Sequence, residues 1–146
     1  MEEYFNGHTA TTSWEWNSAG KTLVATTTGI AQQEGLLNIN NKASDYLRTE
    51  WTSMPLAKEN LITVRHLLTM TTGNDDTKQY VIKPNLTYVA DAGTRWAYSN
   101  IFQKLTDVVA DASNKPFETY FNEKLKSKIG MDGSWNFGTI YTIYHS

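Results

Sequence analysis

The run from residue 18 to residue 34 constrains this chain more than any other. Leu23, Val24, Thr27, Ile30 and Ala31 recur at three- and four-residue spacing, and Gly35 stands where a C-terminal cap belongs; that is the pattern of a helix with one buried face. Thr26, Thr27 and Thr28 lie inside it, and β-branched side chains lose rotamer freedom in a helix. The segment therefore needs tertiary burial to stay helical.

Other segments offer the partners. A short helix is expected over 42–47. Thr63 can cap a helix through Val64, Leu67, Leu68 and Met70 that stops at Thr71-Thr72-Gly73. Ile101, Leu105, Val108, Val109 and Ala112 mark a helix over 100–114, and Pro116 opens another with Phe117, Tyr120, Phe121 and Leu125 on one face. Residues 1–17 read as loop or short strand, and 52–60 as a loop round Pro55. Residues 74–97 form a long irregular excursion, of a length that often carries function. The sequence WNFGTIYTIYHS after Met131 is aromatic and β-prone.

Composition narrows the function. At 146 residues the chain suits one domain with a real core. With 13 Lys+Arg against 15 Asp+Glu, the net charge of -2 gives no electrostatic reason to bind nucleic acid. Cysteine is absent, which excludes disulfides, zinc-thiolate sites and cysteine nucleophiles. No apolar run approaches the roughly 20 residues of a membrane span. No His/Asp/Glu cluster has metal-ligand spacing, so a metal site has little support.

The chemistry is carried by short motifs. Ser18 and Lys21, in the stretch WNSAGK, fall on one side of a helix start, where positions i and i+3 bring Cβ atoms about 5–6 Å apart. Free N–H groups at such a terminus carry partial positive charge. A serine oxygen there, with an amine beside it, suits acyl transfer. The plainer reading is a helix cap next to a surface lysine. Tyr98-Ser99-Asn100 follows the excursion and precedes a helix, so its side chains can project from a turn; a tyrosine beside an ammonium has its pKa lowered and can exchange a proton. The plainer reading here is a buried aromatic and an N-cap. His66 lies inside the ITVRHLLTM helix, where a local hydrogen-bonding role outweighs that of a base.

Four ordered stretches raise these motifs together: SAGKTLVATTTGIAQQEGLLNINNKASDYL, ITVRHLLTMTTG, GTRWAYSN and PFETYFNEKLKSKIGM. Over about residues 14–131 they resemble the serine β-lactamase and penicillin-binding protein superfamily, in the branch of class C β-lactamases, D-Ala peptidases and related esterases. Met70, Asn74 and Ile129 depart from that pattern at its periphery. The third motif, a Lys/His-Thr/Ser-Gly type triplet on a strand, is absent, and His145-Ser146 does not replace it.

The resemblance implies a mainly α chain, the helical region of the α/β β-lactamase-like fold, with most of the sheet missing. It implies one domain over 1–146, incomplete at the C-terminus, with the N-terminus open to the same reading, and it implies no cofactor. It implies a serine hydrolase in which Ser18 attacks a carbonyl, Lys21 takes its proton and Tyr98 shares the relay. Asn100 would hold Lys21 and the substrate amide. The substrate would be a small molecule or short peptide, and the location periplasmic or secreted. The remaining partner would be a complementary C-terminal segment, or a second copy through self-association. The rival is a non-catalytic helical module that binds a partner through its uncovered apolar face.

Overall fold

The computed structural model describes residues 3–136 and 141–145. A short strand β1 (Ser13–Glu15) leads through a 3-10 turn (Asn17–Ala19) into α1 (Gly20–Gln33). Then come α2 (Ser44–Leu47), α3 (Leu56–Glu59), α4 (Val64–Leu68), α5 (Lys104–Ser113) and α6 (Phe117–Lys124). Further 3-10 turns stand at Lys83–Asn85, Asn100–Gln103 and Lys126–Lys128. The chain is mainly helical, as expected. Strands β2 (Ser134–Asn136) and β3 (Tyr141–His145) complete a small antiparallel sheet in the order β1-β3-β2, with Trp14 opposite Tyr144 and Trp135 opposite Thr142.

The core is built round α5, which packs against α1, α2, α4 and α6. Its apolar positions Leu105, Val108 and Val109 are wholly buried, and Phe117 and Phe121 of α6 stack beside them with ring centroids 5.9 Å apart. The three threonines of α1 stay helical by the means their chemistry allows. Each hydroxyl donates to the carbonyl four residues back, Thr26 to Thr22, Thr27 to Leu23 and Thr28 to Val24, which satisfies the polar group. Thr27 and Thr28 are buried, so packing supplies what propensity withholds.

Two details differ from the sequence-based expectation. The loop over 52–60 contains α3, whose first turn follows Pro55. Its last residue, Glu59, is fully buried and accepts from Glu50 N (2.6 Å), Thr52 N (2.8 Å) and Thr52 Oγ1 (2.6 Å). Three donors offset the desolvation of that carboxylate, and they hold a tight turn in which Arg48 and Glu50 have positive φ. A helix fixed by a buried charge leaves little periodic trace. The expected helix over 100–114 is also divided, since its first four residues form a 3-10 turn.

The excursion is irregular but pinned at its base. The Gly73 carbonyl accepts from both Val89 N (2.9 Å) and Ala90 N (3.1 Å), and Asn74 bridges to Tyr88. Farther along, Gly93 N donates to Thr71 O (2.8 Å) and Ala97 N to Met70 O (3.0 Å). Gly73 sits at φ +78, and a Cβ there would lie 2.0 Å from the Ala90 carbonyl oxygen. Gly73→Ala should therefore cost about 2 kcal/mol or more and lower Tm by roughly 5 °C or more. Gly29→Ala, on an exposed face of α1 with open space round it, should instead stabilise by about 0.5–1 kcal/mol. Calorimetry of the two variants checks the contrast; equal effects would show that Gly73 is not sterically required.

Candidate active site

Ser18 lies in the 3-10 turn ahead of α1, immediately after Asn17, whose backbone is left-handed (φ 47). Asn is among the few residues that tolerate that region, and the sharp turn leaves the Ser18 side chain exposed. No side chain caps either the 3-10 turn or α1. The cap reading of Ser18 is thus replaced by another arrangement.

Lys21, one helical turn later, is buried to 8% of its free exposure. Its Nζ donates to Ser18 Oγ at 3.2 Å and to the Tyr98 hydroxyl at 3.1 Å. Tyr98 in turn donates to Ser18 Oγ at 2.5 Å. The Lys21 ammonium also sits 4.9 Å from the centre of the Tyr98 ring, a favourable cation–π placement. Three polar atoms from positions 80 residues apart close a triangle. Tyr98 reaches it because the return limb of the excursion is tied to the end of α4 through Gly93 and Ala97.

The triangle perturbs the phenol. The Ser18 hydroxyl, and next the Lys21 ammonium, stabilise the phenolate and hold Tyr98 below the ordinary tyrosine value, against a smaller opposing effect of burial. Tyr98 keeps 51% exposure, so the triangle is open to solvent on that side.

Asn100 does not join this triangle. It opens the 3-10 turn over 100–103, and its Nδ2 donates to the Gln79 carbonyl at 3.1 Å. The amide braces the excursion instead of Lys21. His66 performs the local role expected of it: Thr63 N donates to His66 Nδ1 (3.1 Å), while His66 N donates to Thr63 Oγ1 (3.4 Å), a capping box for α4. Burial lowers its pKa, which favours the neutral ring that accepts from Thr63. Among the described residues no group of three or more His, Cys, Asp or Glu is placed to hold a metal. No helix among them is long and apolar enough to cross a membrane.

Sequence reasoning missed the brace of the site. Arg95 Nη1 pairs with Asp76 Oδ1 at 2.7 Å, tying the outgoing limb of the excursion to the limb that carries Tyr98. Only the opposite charges flanking the excursion hint at it.

A family model described as Beta-lactamase matches residues 2–139. The chain belongs to the beta-lactamase family. No curated protein matches it. Among solved structures, this beta-lactamase-family chain is similar to a Bacteroides dorei protein named as a beta-lactamase (TM-score 0.77, 21% identity, 91% of this chain and 43% of that one). It is also similar to a D-stereospecific amidohydrolase from Streptomyces (0.73, 17%, 83% and 43%) and to the D-amino acid amidase of Ochrobactrum anthropi (0.71, 18%, 89% and 47%). The chain spans less than half the length of these structures.

The phenol offers a direct test of the shared charge. Ser18→Ala and Lys21→Met should each raise the Tyr98 pKa, because each removes a group that stabilises the phenolate. The readout is phenolate absorbance, taken as the difference between each protein and the same protein carrying Tyr98→Phe. A Tyr98 titration unmoved by both substitutions would show that the three groups are not coupled.

Proposed function

We propose that this chain carries the nucleophile-bearing part of a serine hydrolase that works through an acyl-enzyme on an ester, amide or β-lactam carbonyl. The triangle of Ser18 Oγ, Lys21 Nζ and the Tyr98 oxygen, each pair within 3.2 Å, is the observation that carries this reading. A buried lysine bonded to two hydroxyls has no structural task that a methionine would not perform at lower desolvation cost. Family membership and the amidohydrolase and amidase among the structural neighbours support amide or ester chemistry.

In the proposed reaction Lys21 and Tyr98 act as one relay that accepts the Ser18 proton while Oγ bonds to the carbonyl carbon. The phenol then gives that proton to the leaving oxygen or nitrogen as its bond to carbon breaks. Water attacks the acyl-enzyme, the bond from carbon to Oγ breaks, and Ser18 regains a proton through the same relay. Lys21 holds both oxygens in register and passes charge between them. The partial positive charge at the start of α1 favours the developing oxyanion. Asn100 acts through the excursion, by its bond to Gln79, and not by touching Lys21.

The limited span against the structural neighbours supports a further element of the proposal. The helical layer works with additional polypeptide, a complementary segment or a second copy, placed against the sheet whose β1 and β2 are edge strands. A periplasmic or secreted location belongs to the same reading.

A fluorophosphonate or β-lactam probe should label Ser18, found by peptide mass mapping; a label on Ser99 or Ser134 would overturn the assignment. Lys21→Ala should cut the rate of labelling by about 10²–10⁴ while leaving the far-ultraviolet spectrum unchanged, and near-normal labelling would make Lys21 a structural residue. The 146-residue chain alone should self-associate in sedimentation and turn over nitrocefin and nitrophenyl esters slowly, since in this proposal the additional polypeptide supplies the second N–H donor to the oxyanion, and one such donor is worth roughly 10²–10³. A monomer with rapid turnover would show that no further polypeptide is needed.

A further inference from the structure

Beside the Tyr98 phenol lies a hollow of about 170 Å³, with residues 76–79 on one wall and Tyr98, Ser99 and Asn100 on the other. The walls are clipped together twice, by the Arg95–Asp76 ion pair and by the Asn100 amide on the Gln79 carbonyl. Asp75 Oδ1 accepts from both Thr77 N (2.9 Å) and Thr77 Oγ1 (2.6 Å), which fixes the turn leading into the first wall. The hollow is braced from both walls.

Its polar groups are unevenly committed. The two acids nearest it, Asp75 and Asp76, already accept from Thr77 and Arg95. The donors are less committed: among the described residues, the exposed Lys78 ammonium, the exposed Gln79 side-chain amide and the Ser99 hydroxyl make no hydrogen bond or ion pair, although Lys78 lies near enough to Asp75 to help hold its carboxyl ionised. A hollow offering three free donors, one of them cationic, selects a group rich in acceptor oxygens and negatively charged. A carboxylate fits that description. At about 30 Å³ for each water displaced, the space takes a short arm of a few heavy atoms.

We propose that this hollow is a substrate subsite that receives a short carboxylate-bearing arm of the acyl group, with Lys78 setting the preference for the acid. Tyr98 belongs to both the hollow and the Ser18 triangle, so an arm seated there is linked directly to a carbonyl at Ser18. The inference rests on the hydrolase reading of Ser18. The substrate class is an ester or amide of a short dicarboxylic acid, and a glutaryl group is the simplest example.

Two measurements on the full chain test it separately from that reading. Glutarate, titrated into ¹⁵N-labelled protein, should shift the amide signals of Lys78, Gln79, Ser99 and Asn100 to saturation, while neutral glutaramide does not. Lys78→Met should weaken glutarate binding by about tenfold or more, and Lys78→Arg should retain it. Absence of these shifts, or equal binding to Lys78→Met, overturns the subsite. The second measurement compares acylation of Ser18 by the nitrophenyl monoester of glutaric acid with acylation by nitrophenyl butyrate. The acid-to-neutral ratio should fall about tenfold in Lys78→Met and fall further in Lys78→Glu. Acylation of Ser18 by both esters at a ratio indifferent to these substitutions sinks the subsite alone. Failure of both esters to acylate Ser18 sinks the hydrolase reading, and the glutarate titration then decides the hollow by itself.

Discussion

The Gly73 carbonyl, accepting from Val89 and Ala90 at once, is the fastening on which the site depends. It closes the base of an excursion that would otherwise be a loop of large conformational freedom. The close approach is possible only without a side chain, since a Cβ on Gly73 would occupy the space of the Ala90 carbonyl. Once the base is closed, Gly93 and Ala97 bond to the end of α4, and Tyr98 is delivered to the start of α1. The triangle with Ser18 and Lys21 is thus assembled by backbone hydrogen bonds that none of its three members makes.

Among the described residues two charged side chains are buried, Glu59 and Lys21, to different ends. Glu59 is sealed in by three donors and braces a turn with two residues at positive φ; its partners satisfy it and leave nothing for a ligand. Lys21 is nearly as deeply buried, yet both of its partners are hydroxyls, and Ser18 and Tyr98 are themselves exposed. A charge whose partners face solvent can change those partners' protonation when a ligand arrives. That difference separates a buried charge whose partners are sealed in from one whose partners stay open to solvent.

Among the described residues the sheet is small beside the helical layer. The helices close a core of their own round α5, with Leu105, Val108 and Val109 fully buried. This layer matches structures more than twice as long, so in them the same helices stand beside further chain. The Asp76–Arg95 and Asn100–Gln79 clips lie on the excursion, where they shape what can approach Tyr98.

Much of this was legible in the residues themselves. The periodicity of α1 and α5, Thr63 as the cap of α4 and Pro116 ahead of α6 follow from local rules, because burial repeats every three or four residues and a cap needs a particular oxygen at a particular place. The S-x-x-K spacing likewise placed Ser18 and Lys21 on one side of a helix start, since a single turn of helix determines it. Tyr98 was legible as a candidate from its place between the excursion and a helix, but its pairing with Ser18 and Lys21 came only from likeness to a family pattern; no local rule joins positions 80 residues apart. What tertiary structure alone decided was every contact that crosses the excursion: Tyr98 on Ser18, Arg95 on Asp76, and Asn100 on Gln79 instead of on Lys21. Those depend on where an aperiodic loop is pinned, and a sequence records periodic burial far more plainly than it records which distant carbonyl a backbone N–H will find.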